Sequence, residues 1–324
     1  MEGILLKAGS FLLIILAGYT FKRIGVLKAS DANVLRKIML NLTLPCVMVS
    51  SIQSMNIQLS LLAPLIAGFI VGPAAVAFSV LVSRKKPRLT QAMYIINLSS
   101  FNIGGFLLPI LSAFFPASAV SISSIFDIGN GIYGTGGIFA YAQTRANADA
   151  QFRVKDIFRS IIHSTTLMVY IPMLILFLCG LRLPAGFYTL VQTFGSSNMF
   201  LSFFIIGLML EIKLDLSDLG EVIRALAMRY LMAVPLALIM WALPVDLLVR
   251  QVLVLCTLTP FSSVSPSFCA ALGCKAEQAS IMTALSLIIS LVIVTVLLVV
   301  WQMLFLSQQT DPESLAPRIH FFAQ

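Results

Sequence analysis

The sequence predicts an all-α polytopic membrane protein with ten transmembrane helices, arranged as two inverted five-helix repeats in which helices 4 and 9 are broken and cross. Three observations lead there. The first is composition: of 324 residues, 59% are hydrophobic and only 10% are charged, with a mean hydropathy of +0.99. A soluble domain carries about 25% charge and could not cover its surface from this pool. The second is length, since ten apolar stretches approach the ~20 residues that carry a helix across a ~30 Å hydrocarbon layer. The third is repetition: an offset of 157 residues lays the first five stretches on the last five. Composition alone excludes disorder, a coiled coil, a secreted disulfide scaffold and a soluble enzyme.

Taken in order, stretch 1 covers 3–22 and lacks both a cationic leader and a small-residue cleavage site, so it reads as a helix and not as a signal peptide. Stretch 2, 33–53, contains Asn41-Leu-Thr-Leu-Pro45, and stretch 3 covers 60–82. Stretch 4, 90–113, contains Asn102-Ile-Gly104-Gly105 and Pro109; stretch 5, 119–143, contains Asp127 and Asn130. Stretches 6, 7 and 8 cover 158–180, 188–210 and 219–242. Stretch 9, 247–271, contains Thr259-Pro260-Phe-Ser262-Ser263-Val-Ser265-Pro266. Stretch 10, 277–304, is too long and too uniformly apolar for the alternating strand of a β-barrel. The polar remainder holds Pro312 and Pro317 and is expected to be disordered. The expected division is therefore 1–146 for the first repeat, 147–305 for the second, and 306–324 for an external tail.

Of the 21 Lys and Arg residues, 17 are counted toward the links after stretches 1, 3, 5, 7 and 9 and four toward the opposite side. By the positive-inside rule those links are cytoplasmic and both termini external, as in a bacterial inner (plasma) membrane protein. The net charge of +8 is then a topogenic signal and not a nucleic-acid footprint.

An odd number of helices per half makes the second half enter the membrane from the opposite side. That is the arrangement of secondary transporters built around a midplane site. The irregular residues correspond as well: the same offset puts Asn102 on Thr259 and Pro109 on Pro266. Proline removes a backbone donor and paired glycines weaken a helix, so both stretches should break near mid-membrane. Each break exposes N–H groups at the start of a second half-helix, where the dipole favours an anion. For either stretch alone, a proline kink or small-residue packing explains the pattern as well. The matched pair favours a binding site lined by Asn102, Gly104, Gly105, Pro109, Thr259, Pro260, Ser262, Ser263, Ser265 and Pro266. Such a site would hold a carboxylate with no buried Arg or Lys.

The motifs at Asn41–Pro45, Asn102–Pro109 and Pro260/Pro266 resemble the auxin efflux carrier family, as does the ten-helix layout over about 3–305. The family joins bacterial permeases for malate, malonate and similar acids to the plant auxin carriers. The resemblance implies a scaffold of helices 1, 2, 6 and 7, a mobile subdomain whose helices 4 and 9 cross, and elevator-like movement. It also brings Pro45 and Asn41 into the candidate site. The layout is shared with bile-acid symporters and sodium/proton antiporters. The short link 143–157 fits a compact prokaryotic-type member and weakens the case for auxin as substrate.

Asp127 is the one acidic residue well inside a stretch, and an intramembrane carboxyl usually faces a polar pathway. Asn130, three residues on, shares its helix face. The pair suits either ion coupling or a structural role. Gly129-Asn-Gly131-Ile-Tyr-Gly134 matches a dinucleotide fingerprint only formally, since no strand precedes it. The five cysteines lack metal or redox spacing, and His163 and His320 form no cluster, so no cofactor or metal is expected.

The expected function is secondary active transport of a small organic anion such as a mono- or dicarboxylate, with a proton or sodium ion as a possible coupling partner and a homodimer as a possible assembly. The alternative is a proton- or sodium-coupled cation antiporter; that chemistry usually adds a buried basic partner or a second acid, and neither is read in this sequence. A passive channel or receptor is less well supported by broken, inverted halves. An intramembrane hydrolase needs a nucleophile and base that the stretches lack, so no enzyme is expected.

Overall fold

The computed structural model describes residues 2–52, 61–147, 149–150, 155, 162, 165–181, 183–209 and 219–309, and over these the chain is helical. The helices are α1 (Glu2–Arg23), α2 (Ala29–Ser51), α3 (Leu62–Ser83), α4 (Arg88–Leu98) and α5 (Ile103–Phe114). There follow α6 (Ala117–Ile132), α7 (Ile138–Ala146), α8 (Thr165–Leu178), α9 (Ala185–Met209) and α10 (Leu219–Trp241). The chain continues through α11 (Leu247–Thr257), α12 (Ser265–Ala271) and α13 (Ala276–Gln309). Helices fall on all ten apolar stretches. By length and composition, α2, α3, α9, α10 and most of α13 suffice to cross a membrane, and α4 with α5, bent by 45°, makes a sixth candidate. The link 53–60, most of 151–164 with His163, and the tail from 310 onward lie outside the described residues.

Local chemistry accounts for the irregular turns. Pro45 and Pro109 each follow a π-turn, at Met39–Thr43 and Ile103–Leu107. A proline ring clashes with the carbonyl one turn earlier and offers it no N–H, and a widened turn relieves both defects. A third π-turn, Tyr133–Gly137, joins α6 to α7 at the glycine-rich stretch that mimicked a nucleotide motif. Gly129 there packs on the backbone of Gly68 in α3, so its role is close helix packing.

Packing sorts the helices into two groups around a shared core. α1 lies along α9, where a Cβ on Gly18 would overlap the Phe204 carbonyl and one on Gly207 the Ile15 carbonyl. Ala32 and Met39 of α2 complete that cluster with Phe204, Ile205 and Leu208 of α9. Val49 of α2, Met173 of α8 and Tyr188 of α9 form a second one. On the other side, α4, α7, α10, α12 and α13 share a cluster that includes Ile95, Ile138, Val222, Phe261 and Met282. Between the groups, Phe11, Leu44 and Met48 meet Phe106, Phe126 and Leu255 in the largest core. Trp241 stacks on Trp301, with ring centroids 5.9 Å apart, at the end of α10 where an aromatic belt is expected.

Candidate functional site

The first broken span closes its own gap. α4 ends at Leu98, and Asn102 (φ −89°, ψ 68°) caps the turn that starts α5, its side-chain oxygen accepting the Gly105 N–H at 3.2 Å. A Cβ on Gly105 would stand 2.8 Å from that oxygen and displace the cap. Gly104 faces α2, where a Cβ would meet the Leu44 side chain, beside Pro45, at 2.9 Å. Pro109 sits in the first turn of the regular helix, directly after the widened turn that accommodates its missing N–H.

The second broken span has no such cap. Between α11 and α12 the residues 258–264 leave the helix, and two of their N–H donors find hydroxyls on other elements. The Phe261 N–H donates to Ser286 Oγ on α13 at 3.1 Å, and the Ser262 N–H to Ser100 Oγ at 3.0 Å. The Thr259 hydroxyl donates locally to the Cys256 carbonyl at 2.9 Å. Pro266 stands in the first turn of α12, matching Pro109.

The two breaks touch. The Asn102 N–H donates to the Pro260 carbonyl at 3.2 Å, and Ser100 Oγ lies 3.1 Å from Ser265 Oγ. Across both sits Arg229, from the middle of α10 and wholly buried. Its guanidinium donates to the Leu98 carbonyl at 2.8 Å and to the Thr259 carbonyl at 2.7 Å. It therefore meets the negative ends of α4 and α11 together. Its carbon lies 4.2 Å from the Phe101 ring centroid, a cation–π contact, and its Nε has no partner among the described residues.

Arg229 corrects the sequence reading, which assumed a site with no buried cation. A basic residue eleven places into an apolar helix is the signal that could have found it. Asn102 and Thr259 are both buried; the Asn102 side chain accepts the Gly105 N–H, and the Thr259 hydroxyl donates back to the Cys256 carbonyl. The half-buried groups at the crossing are Gly104 and Gly105 on one side, Ser262 and Ser263 on the other.

Asp127, buried in α6, accepts from Asn130 Nδ2 at 2.7 Å and from the Tyr170 hydroxyl of α8 at 3.2 Å. Ser123, on the same helix, lies 3.6 Å from the thiol of Cys256 in the last turn of α11. This places the carboxyl network beside the second break. Asn41 does not join the site: it is exposed, and its Nδ2 donates back to the Lys37 carbonyl at 2.8 Å. Pro45 is half-buried and reaches the crossing through its neighbour Leu44. The five cysteines are free, and no group of metal-ligating side chains occurs among the described residues.

The family model for membrane transport proteins, Mem_trans, matches residues 10–166. Over those residues, just under half of the chain, it is similar to the auxin efflux carrier family. The match runs from α1 to the start of α8 and contains the first break with Asn102, Gly104, Gly105 and Pro109. The family is one of transporters and not of enzymes. No curated protein matches the chain. The family likeness and the apolar helices support a multi-pass membrane protein.

Proposed function

We propose that this protein is a secondary active carrier for a small organic anion, a mono- or dicarboxylate, bound where the two broken spans meet. The single observation that carries the reading is the contact of the breaks under one buried cation: Asn102 on Pro260 at 3.2 Å, with Arg229 on the carbonyls of both spans. Positive half-helix ends and a guanidinium in a low-dielectric setting favour an anion and repel a cation. Gly104, Gly105, Ser262 and Ser263 supply the reachable surface.

The proposal includes ten crossings in two inverted halves with both termini outside a bacterial inner membrane. Two likenesses support the repeat. α4 and α11 each have 11 residues, and the regular helices Leu108–Phe114 and Ser265–Ala271 each have 7, with a proline in the first turn. The grouping of α1, α2, α8 and α9 apart from the helices of the crossing supports an elevator-like movement of one group past the other.

Asp127 is the proposed proton-coupling group. Uptake of labelled carboxylates into proteoliposomes, with and without a pH gradient, tests the whole reading. Asp127→Asn should lose gradient-driven accumulation and keep exchange at equal concentrations. A mutant that still concentrates substrate in response to pH removes Asp127 from coupling; loss of both activities with poor expression makes it structural. The second reading, a cation antiporter, gains from Arg229, which supplies the buried basic partner such chemistry uses. Sodium- or potassium-dependent proton release from the same vesicles, without carboxylate uptake, would establish it instead.

A further inference from the structure

We propose that a groove between α3 and the α6–α7 pair binds one anionic phospholipid, its phosphate on Arg84 and Tyr141 and an acyl chain along Pro73, Ala77 and Leu81. The site lies apart from the crossing and does not depend on what is transported.

Sequence creates the groove by pinching two helices at one level. A Cβ on Gly68 would overlap the Phe126 carbonyl, and one on Gly129 would stand 2.6 Å from the Gly68 backbone. A turn further on, at Gly72, the nearest atoms belong to the Tyr133 side chain, at 3.0 Å, so a ring now separates the backbones. Beyond that level lies a cavity of about 630 Å³, lined by Pro73, Val80, Leu81, Arg84 and Tyr141 among others. The widened turn Tyr133–Gly137 and the small faces of Pro73 and Ala77 keep it open. Pro73, Ala77, Leu81 and Arg84 are all exposed and follow helical spacing along one stripe of α3.

Length and charge choose the occupant. Pro73 and Arg84 stand eleven residues apart, which is about 16 Å of helix at 1.5 Å per residue. That is half of a ~30 Å hydrocarbon layer, the depth of one leaflet. A small transported anion has no use for an apolar trough of that length, and an acyl chain fills it. At its end the Arg84 guanidinium has no partner among the described residues. Arg145 donates to the Tyr141 hydroxyl at 2.9 Å, which leaves that hydroxyl's proton free for a phosphate oxygen. Lys85 and Arg88 are exposed nearby in the chain. Glu221, an acid at this end, is occupied by Lys86 at 2.6 Å and Arg224 at 3.2 Å. A choline headgroup would bring its own cation to this basic cluster; an anionic headgroup brings none.

The test exchanges the purified full-length protein into vesicles of equal phosphatidylcholine and phosphatidylglycerol, then counts retained lipid by native mass spectrometry. Wild type should retain phosphatidylglycerol preferentially. Arg84→Gln should lower its retention by about five- to tenfold and leave phosphatidylcholine unchanged. Ala77→Leu should fill the groove and lower both, and Lys85→Gln should change neither by more than about twofold. All three positions are exposed, and an unchanged elution volume shows that each variant is folded. Equal retention of the two lipids, or equal losses from Lys85→Gln and Arg84→Gln, would overturn a defined site in favour of a diffuse basic surface. Displacement of the lipid by inorganic phosphate would overturn the acyl contact. Spontaneous cross-linking of two Ala77→Cys chains through the groove would put a second copy of the protein there and end the proposal.

Discussion

At the first break one residue of the same span, Asn102, supplies the side-chain cap and also the N–H that reaches the other span. At the second, the N–H groups of Phe261 and Ser262 reach outward, to Ser286 on α13 and Ser100 in the other break, while those of Leu258 and Val264 bond within the span. The first gap spans four non-helical residues and the second seven, 258–264. The difference teaches where each break draws its stability. A capped break holds its shape through local sequence, whereas an uncapped one holds it only in the assembled protein. Arg229 is common to both, because backbone carbonyls at both C-terminal ends point at it.

The largest effect should come from removing that shared element. Arg229→Met leaves the Leu98 and Thr259 carbonyls buried and unpaired, at about 1–3 kcal/mol each, and destabilises both breaks together. Thermal unfolding of the purified protein should fall steeply, and Arg229→Lys, which keeps the charge but not the fork, should recover part of it. Equal melting of Arg229→Met and wild type would separate the two breaks and refute a common clamp.

Next comes Asn102→Ala, which removes the cap at a cost of about 0.5–2 kcal/mol and should abolish transport in a protein that still inserts. Asn102→Asp sharpens the point. It keeps the acceptor for Gly105 and adds a negative charge beside the proposed anion. Melting close to wild type with uptake lost is the expected pair of results; uptake retained in Asn102→Asp would argue against an anion at this break.

At the second break, Ser100→Ala removes the acceptor for the Ser262 N–H and the partner of Ser265, for a loss of about 1–2 kcal/mol. Ser286→Ala should cost about 1 kcal/mol through Phe261. The smallest effect is assigned to Thr259→Val, below about 1 kcal/mol with transport retained, since that hydroxyl only meets its own Cys256 carbonyl. Because repeat spacing pairs Thr259 with Asn102, equal effects of the two substitutions would restore the symmetry that the hydrogen bonds deny.

Most of the first break is legible in the sequence, and much less of the second. Asn102, Gly105 and Pro109 lie within eight residues of one another, and their cap, close approach and helix start are local events. The family match covers this break and ends before the other. At the second break the prolines and serines mark where the helix fails but not what meets the freed donors. Ser286 lies 25 residues from Phe261 and Ser100 lies 162 from Ser262, so no local pattern pairs them. Asp127 and Asn130 are an i,i+3 pair and readable; Tyr170, 43 residues on, is not.

What the chain determined by itself is where it is apolar, where its helices must fail, and which way its glycines allow close approach. Those follow from hydrocarbon burial, a missing proline N–H and a missing Cβ, each a property of one residue or one run. The tertiary structure alone decided who satisfies the failures. Arg229 lies 131 residues from Leu98 and 30 from Thr259, in a helix whose sequence gives no reason to face either. Its charge is tolerable only because two helix ends, far apart in sequence, deliver their carbonyls to one point, and that convergence exists only once the helices pack.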